Sequence, residues 1–369
     1  MSKLCIFQNG DEPQIVSTAA MMKAAGYDTM YCGQALRQEL SSAGCDTVLG
    51  PNTMESLGYD ILPEYLKPAE PRHMERCDLF LEIKVRNVPK ITTRWPRLKN
   101  RIAWWRVNGA QPEICPKGGD EVNLPCPVIT ACFWYGTERY RNAVNSQQQA
   151  SLEHEANQPA RDPGPVTYSD NGMAYVFWPP YPHSHHYDII DRSKLTTYDP
   201  PYTLCHSARA WGYAQIIDDC VGLGVKIYGN RSPAGQIQHQ QVPSLVRTAK
   251  ALVHLKSVDC PGWALYEAIL GGCPVITPRL LNSRMIAYDL LQHGKTCYEF
   301  GVPASLEYGR GDMNFPKCLE DIKEALDKLS DPEENRRIGE AGRKRLHELM
   351  WNEARDGDDW RRFMKRHFG

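Results

Sequence analysis

The chain has no run of 18 or more apolar residues, so no segment reads as a membrane-spanning helix. Its first ten residues, MSKLCIFQNG, lack the long apolar core of a secretory signal and read instead as a first strand. Neither sign of charge is in excess. With 43 Lys and Arg against 44 Asp and Glu, the whole-protein field selects no partner, and any electrostatic recognition must be local. The 13 cysteines include no CxxC pair, and several, such as Cys5, Cys132 and Cys273, lie in apolar runs where a small buried thiol suffices. A reduced, cytoplasmic protein is expected. No internal repeat of solenoid length is visible. What is present is ordinary for a globular protein: 42% apolar and 24% charged residues. A length of 369 residues exceeds what one core usually supports, so two domains are expected.

Strand and helix patterns alternate along the first third. Apolar runs at 4–8, 27–32, 46–49, 79–85, 101–107 and 127–133 read as strands, and 13–25 and 34–43 as helices closed by Gly26 and Gly44. Residues 147–171, rich in Gln, Asn, Pro and Gly, read as a surface insertion, and 173–178 as one more strand. A Pro, His and Tyr-rich stretch, 181–201, reads as the interdomain crossing. The alternation then restarts, with strands at 203–206, 225–228 and 274–277, an apolar run at 252–255, and helices at 212–220, 243–251 and 263–270. Helical spacing with many charges follows at 316–329 and 333–350. Strands separated by helices imply parallel sheets with right-handed crossovers. The expected architecture is α/β, with two Rossmann-like doubly wound domains facing across a cleft: 1–180, 202–345, and a last helix within 346–369 packing back toward the first domain.

The segment 257–278 reads SVDCPGWALYEAILGGCPVITP. Pro261-Gly262 before a helix leaves backbone N–H groups at its start unbonded. The backbone of Gly262, Trp263, Ala264 and Leu265 is therefore a ready site for a diphosphate. Glu267, in the second turn, offers two acceptor oxygens to a ribose diol. Gly271 and Gly272 are suited to ending the helix and turning the chain into a strand. The plain alternative is a helix capped by Pro-Gly with one exposed Glu.

This segment resembles the donor-sugar site of the group-1 (family-4) retaining glycosyltransferases. That family has an acidic residue, seven others, then Glu, followed by Ala and a Gly-x-Pro-Val strand entry. Asp259, Glu267, Ala268 and the run from Gly271 to Ile276 match it. VPSLVRTAKALVHL upstream and the Gly339-x-x-Gly342-Arg343 pattern downstream resemble the family's flanks. The resemblance implies the GT-B arrangement, a nucleotide-diphosphate sugar as donor (a UDP-sugar first), no cofactor and no metal. It places Asp259 on the donor sugar hydroxyls and Glu267 on the ribose. It also implies that the leaving diphosphate, rather than a protein base, takes the acceptor proton. The chain departs from the family where an Arg and a Lys should hold the diphosphate. Here LCHSARAWG places His206 at the Arg position and Trp211 at the Lys position. Arg209 is the nearest cation and Arg231 and Arg279 are weaker substitutes. In the first domain Gly10, after the first strand, and Asn108, after IAWWRV, are expected at the cleft; a structural turn accounts equally well for Asn108-Gly109.

The acceptor is read from the stretch 84–106, which carries Lys84, Arg86, Lys90, Arg94, Arg97, Lys99, Arg101 and Arg106 with no acid, interleaved with Trp95, Trp104 and Trp105. Cations neutralise phosphates and Trp95 could stack on a base. A solvated face with core tryptophans is the competing reading. Pro89 and Pro96 and the want of a helical period suggest a loop, which favours DNA over a membrane surface. DNA carrying 5-hydroxymethylpyrimidines, the acceptor of phage DNA glycosyltransferases, ranks first. A polysaccharide or lipid-linked saccharide ranks second, and a catalytically silent nucleotide-sugar-binding protein third. His183, His185, His186 and Asp188 lack paired metal-ligand spacing, and no metal site is assigned to them.

Overall fold

Alternating apolar strands and amphipathic helices build two separate parallel sheets in the computed structural model, which describes residues 3–8, 14–47, 66–82, 85–106, 126, 128–130, 166–168, 174–176, 187, 190–204, 214–229, 232, 234–238, 241–255, 263–278, 290–301, 315–350 and 352–369. The chain divides into two units. One comprises Met1–Asn145, Asp162–His183 and Met350–Gly369, and the other Ser146–Arg161 and Ser184–Leu349. Among the described residues no helix is long and apolar enough to cross a membrane.

In the first unit the elements run β1 (Lys3–Phe7), α1 (Gln14–Ala24), β2 (Tyr27–Cys32), α2 (Gln34–Ser42), β3 (Lys67–Ala69), α3 (Pro71–Met74), β4 (Leu79–Glu82), α4 (Val88–Arg94), β5 (Ile102–Arg106) and β6 (Val128–Thr130). The sheet order is β3-β2-β1-β4-β5-β6, every pairing parallel. An antiparallel pair, β7 (Val166–Tyr168) and β8 (Ala174–Val176), lies within and just beyond the stretch expected to be an insertion. Of the strand expected at 46–49 only Asp46 and Thr47 are described, and neither is in a strand. Asn87 engages the backbone of Asp46 twice, its Oδ1 accepting from the Asp46 N–H and its Nδ2 donating to the Asp46 carbonyl, at 3.0 and 3.1 Å. The third strand is instead β3, whose Pro68 cannot donate to a ladder and is tolerated because β3 is an edge strand.

The second unit has β9 (Tyr202–Leu204), α5 (Ala214–Gly222), β10 (Lys226–Tyr228), α6 (Val242–Thr248), β11 (Leu252–Val253), α7 (Trp263–Leu270), β12 (Val275–Pro278), β13 (Tyr298–Phe300), α8 (Phe315–Lys328) and α9 (Pro332–Leu349). Its order, β10-β9-β11-β12-β13, is again all parallel. Both orders reverse once, between β1 and β4 and between β9 and β11. Such reversals open a crevice at the carboxyl ends of the strands. One face of the second sheet, with Ile227, Val253, Ile276 and Tyr298, packs against Ile216, Ile217 and Cys220 of α5 and Cys318, Ile322 and Leu326 of α8.

The last helix, α10 (Glu353–Phe368), belongs to the first unit. Asn352 caps it, its Oδ1 accepting from the N–H groups of Ala354 and Arg355 at 2.9 and 3.2 Å. Trp360 and Phe363 fill the core beside Met21 and Met22 of α1, and the Trp360 indole N–H donates to the Met21 carbonyl at 2.6 Å.

Two glycines settle how α7 meets α9. Helix α7 ends in a Schellman turn: Gly272 sits at φ +71°, and the Cys273 N–H reaches back to the Ala268 carbonyl at 2.8 Å. A Cβ on Gly339 of α9 would lie 2.1 Å from the Gly272 carbonyl oxygen. Alanine in place of a helical glycine normally stabilises by up to about 1 kcal/mol. Here Gly339→Ala should instead destabilise by about 1–3 kcal/mol, because neither backbone can retreat. Chemical denaturation of the two proteins checks the sign.

Candidate functional site

Glu267 stands on α7, which leaves the carboxyl edge of β11 beside the reversal between β9 and β11. It is not the exposed residue of the plain alternative: it is 5% exposed and turned into the unit. Burial pushes its carboxyl up from the ordinary 4.5 to about 7, and the neighbouring Tyr187 side chain pulls the other way. Tyr202 of β9 is fully buried, and burial, followed by the neighbouring Cys273 and Glu267, pushes its phenol up.

The residues expected to bind a donor with it divide. Trp263 begins α7; Ala264 is half-buried, while the Leu265 side chain is fully buried and leaves only its backbone to serve a ligand. Gly10, Asn108, His206, Arg209, Asp259 and Gly262 lie outside the described residues, as do Lys84 and the cluster of His183, His185, His186 and Asp188. Tyr187 and Tyr202 were not found from sequence. Tyr187 falls in the Pro and His-rich crossing, where no periodicity points to it, and Tyr202 reads as an ordinary strand aromatic.

The basic stretch is corrected by the structure. It is not a loop: residues 85–87 and 96–98 form short 3-10 turns around α4. The period is present after all, since Val88, Ile91, Trp95 and Leu98 are spaced three, four and three apart and all are buried. Pro89 and Pro96 sit in first turns, where a missing N–H costs nothing. Trp95, at 4% exposure, is a core residue rather than a stacking platform. Several cations have acidic partners. Arg86 pairs with Asp46 at 2.5 Å, Arg94 with Glu39 at 2.7 Å, and Arg97 and Arg101 with Asp78 at 3.6 and 3.1 Å. Lys90 donates to the Gly44 carbonyl. Arg97 and Lys99 precede β5, so they lie at the amino edge of the sheet, opposite the carboxyl edge where ligands are held. Lys99 is exposed.

No protein-family model and no curated protein sequence matches the chain. Among solved structures, sucrose-phosphate synthase from Thermosynechococcus elongatus is similar, with a TM-score of 0.50 and 13% identity over 100% of this chain and 99% of that one. Trehalose-6-phosphate synthase OtsA has a TM-score of 0.48 at 9% identity, over 100% of this chain and 99% of that one. The pneumococcal O-GlcNAc transferase GtfA, solved with UDP and GlcNAc, has a TM-score of 0.44 at 11% identity, over 79% of this chain and 56% of that one. The likeness to the first is one of fold, the α/β fold with two parallel-sheet, Rossmann-like domains that GT-B glycosyltransferases have; the two lower scores add nothing to it.

The raised carboxyl has a consequence for stability. The folded state holds a proton on Glu267 that the unfolded chain releases, so its contribution is fully present below pH 4.5 and is lost as pH rises through about 7. Unfolding free energies of the native protein and Glu267→Gln, measured from pH 4 to 8, should diverge by on the order of 3 kcal/mol across that window, the native protein falling relative to the variant. Parallel curves would contradict the burial of this group.

Proposed function

We propose that the chain is a retaining, metal-independent glycosyltransferase that moves a sugar from a nucleotide-diphosphate sugar, a UDP-sugar first, to a hydroxyl acceptor. The observation that carries the reading is Glu267: a buried carboxyl in the second turn of a helix that rises from the carboxyl edge at a strand-order reversal. A ribose diol satisfies both oxygens of such a carboxylate, and the start of a helix such as α7, where the first N–H groups have no partner within the helix, suits a diphosphate. Asp259, Gly262, Arg209 and His206 belong to the segments that leave β11 and β9, the two strands flanking the reversal. Their proposed roles are contact with the sugar hydroxyls for Asp259 and with the phosphates for the others. Gly10 is assigned to donor binding, and Asn108 to the catalytic group with Glu267 and Asp259.

The protein's part in such a reaction is positioning and charge stabilisation. The acceptor oxygen bonds to the anomeric carbon as the bond to the diphosphate breaks. The acceptor proton passes to the departing diphosphate on the same face, so no protein base is required. Cations and helix N–H groups hold the negative charge that builds on the leaving group.

For the acceptor, DNA bearing 5-hydroxymethylpyrimidines is carried as the first candidate, supported only by the excess of cations in 84–106, among them the exposed Lys99. The pairing of Arg86, Arg94 and Arg97 and the burial of Trp95 weaken that support, and a polysaccharide or lipid-linked saccharide is the alternative. A cytoplasmic setting goes with the first.

The test is direct. The protein is incubated with a panel of nucleotide sugars and either hydroxymethylated DNA or saccharide acceptors, and products are weighed by mass spectrometry. Transfer or slow donor hydrolysis is expected, with Glu267→Gln raising the donor KM by about 10- to 100-fold through loss of charge-assisted hydrogen bonds. Absence of both activities with every donor, together with no donor binding, would sink the enzymatic reading; binding without turnover would leave a silent nucleotide-sugar-binding protein.

A further inference from the structure

The second sheet is apolar through most of its length on the side of Tyr202, then changes character in its last row. Val253 pairs with Ile276, so His254 lies beside Thr277, and Thr277 pairs in register with Glu299. The His254 N–H donates to the Ile276 carbonyl at 2.7 Å, which continues the ladder to this row. Residues in register on parallel strands share a face. An imidazole, a hydroxyl and a carboxyl thus stand side by side on three adjacent strands, at 6%, 0% and 8% exposure. The row lies at the carboxyl edge, on the face that also carries Tyr202, to which Glu267 is electrostatically coupled.

Thr277 is the anomaly in this row. Its Oγ1 is buried and has no hydrogen-bond partner among the described residues. A buried hydroxyl left unbonded costs stability, and native proteins keep few of them. Thr203 Oγ1 is similarly placed but faces the opposite side, in line with Ile227, within the apolar layer under α5 and α8. Among the described residues, Thr277 alone combines an unbonded hydroxyl with a polar row at the carboxyl edge of this sheet.

We propose that Thr277, flanked by His254 and Glu299, is the contact for a hydroxyl of the sugar carried by the donor, and so helps determine which sugar is accepted. The inference rests on the donor reading above. A hydroxyl of the ligand can both donate to and accept from Thr277, which removes the cost of leaving it unbonded. The neighbouring carboxyl group of Glu299 disfavours a phosphate at this point and suits a neutral polyol. The role is one of specificity, not of bond-making.

Thr277→Val keeps the shape and removes the hydroxyl, and Thr203→Val does the same on the far face. Isothermal titration with nucleotide sugars and with the matching nucleoside diphosphates reads the contact. Thr277→Val should weaken the nucleotide sugar about 5- to 10-fold while leaving the diphosphate unchanged, and it should raise the Tm by a few degrees. Thr203→Val should raise the Tm likewise with no effect on binding, and Thr277→Ser should retain the affinity. Equal weakening of sugar nucleotide and diphosphate, unaltered affinity, or a lowered Tm for Thr277→Val would each overturn the assignment. If the native protein binds no nucleotide sugar, the donor reading falls and this inference with it; if it binds and Thr277→Val binds equally, only the inference falls.

Discussion

Helix α7 is held by its end. Its final carbonyl region lies against a glycine of α9 with no room for a single added carbon, and a Cβ on Gly271 would meet a Val246 methyl of α6 at 2.3 Å. Arg192 reinforces the same corner from inside. It donates to the carbonyls of Val246, Arg247 and Ala249 at the end of α6 and to Asn335 Oδ1 on α9, at 2.5 to 3.1 Å. With the end fixed by backbone contact and a buried guanidinium, the helix has one rotation about its axis. That rotation points Glu267 inward, toward Tyr187 and Tyr202. The Gly-Gly that resembles part of a ligand motif is therefore a packing device, and the inward placement of Glu267 goes with it.

The two sheets make the rest follow. Each reverses its strand order once, so each presents two neighbouring strands whose following segments diverge to opposite faces. In the second unit those strands are β9 and β11, and the polar row formed by His254, Thr277 and Glu299 lies immediately to one side of them. Among the described residues of the second unit, buried polar side chains thus gather at the carboxyl edge of the sheet.

Much of this was legible in the residues. The alternation of β1, α1, β2 and α2, and again from β9 onward, follows from short apolar runs closed by Gly26, Gly44 and Gly272, because those positions demand φ above zero. Glu267 was legible from its spacing to Asp259 and the glycines. Its burial was not, since spacing along a helix does not say what packs beside it. The basic stretch misled for a related reason. Its cations find carboxylates at positions 39, 46 and 78, outside the stretch, so a local count of charge registers an excess that folding removes. Strands β3 and β13 were too short for a period, and Pro68 argued against the first. Thr277 carried no signal at all, because its interest lies in a bond it lacks.

The chain leaves the first unit, builds the second, and returns for α10. Trp360 and Phe363 complete the layer over α1, so the first unit lacks a wall of its core until the residues after Leu349 exist. Among the described residues, the second unit has its last strand by Phe300 and its last helix by Leu349. On a ribosome, the half that is made first therefore finishes second. Its exposed methionines and sheet face wait through the synthesis of the other domain, a period in which a chaperone has more to protect in the early half than in the late one.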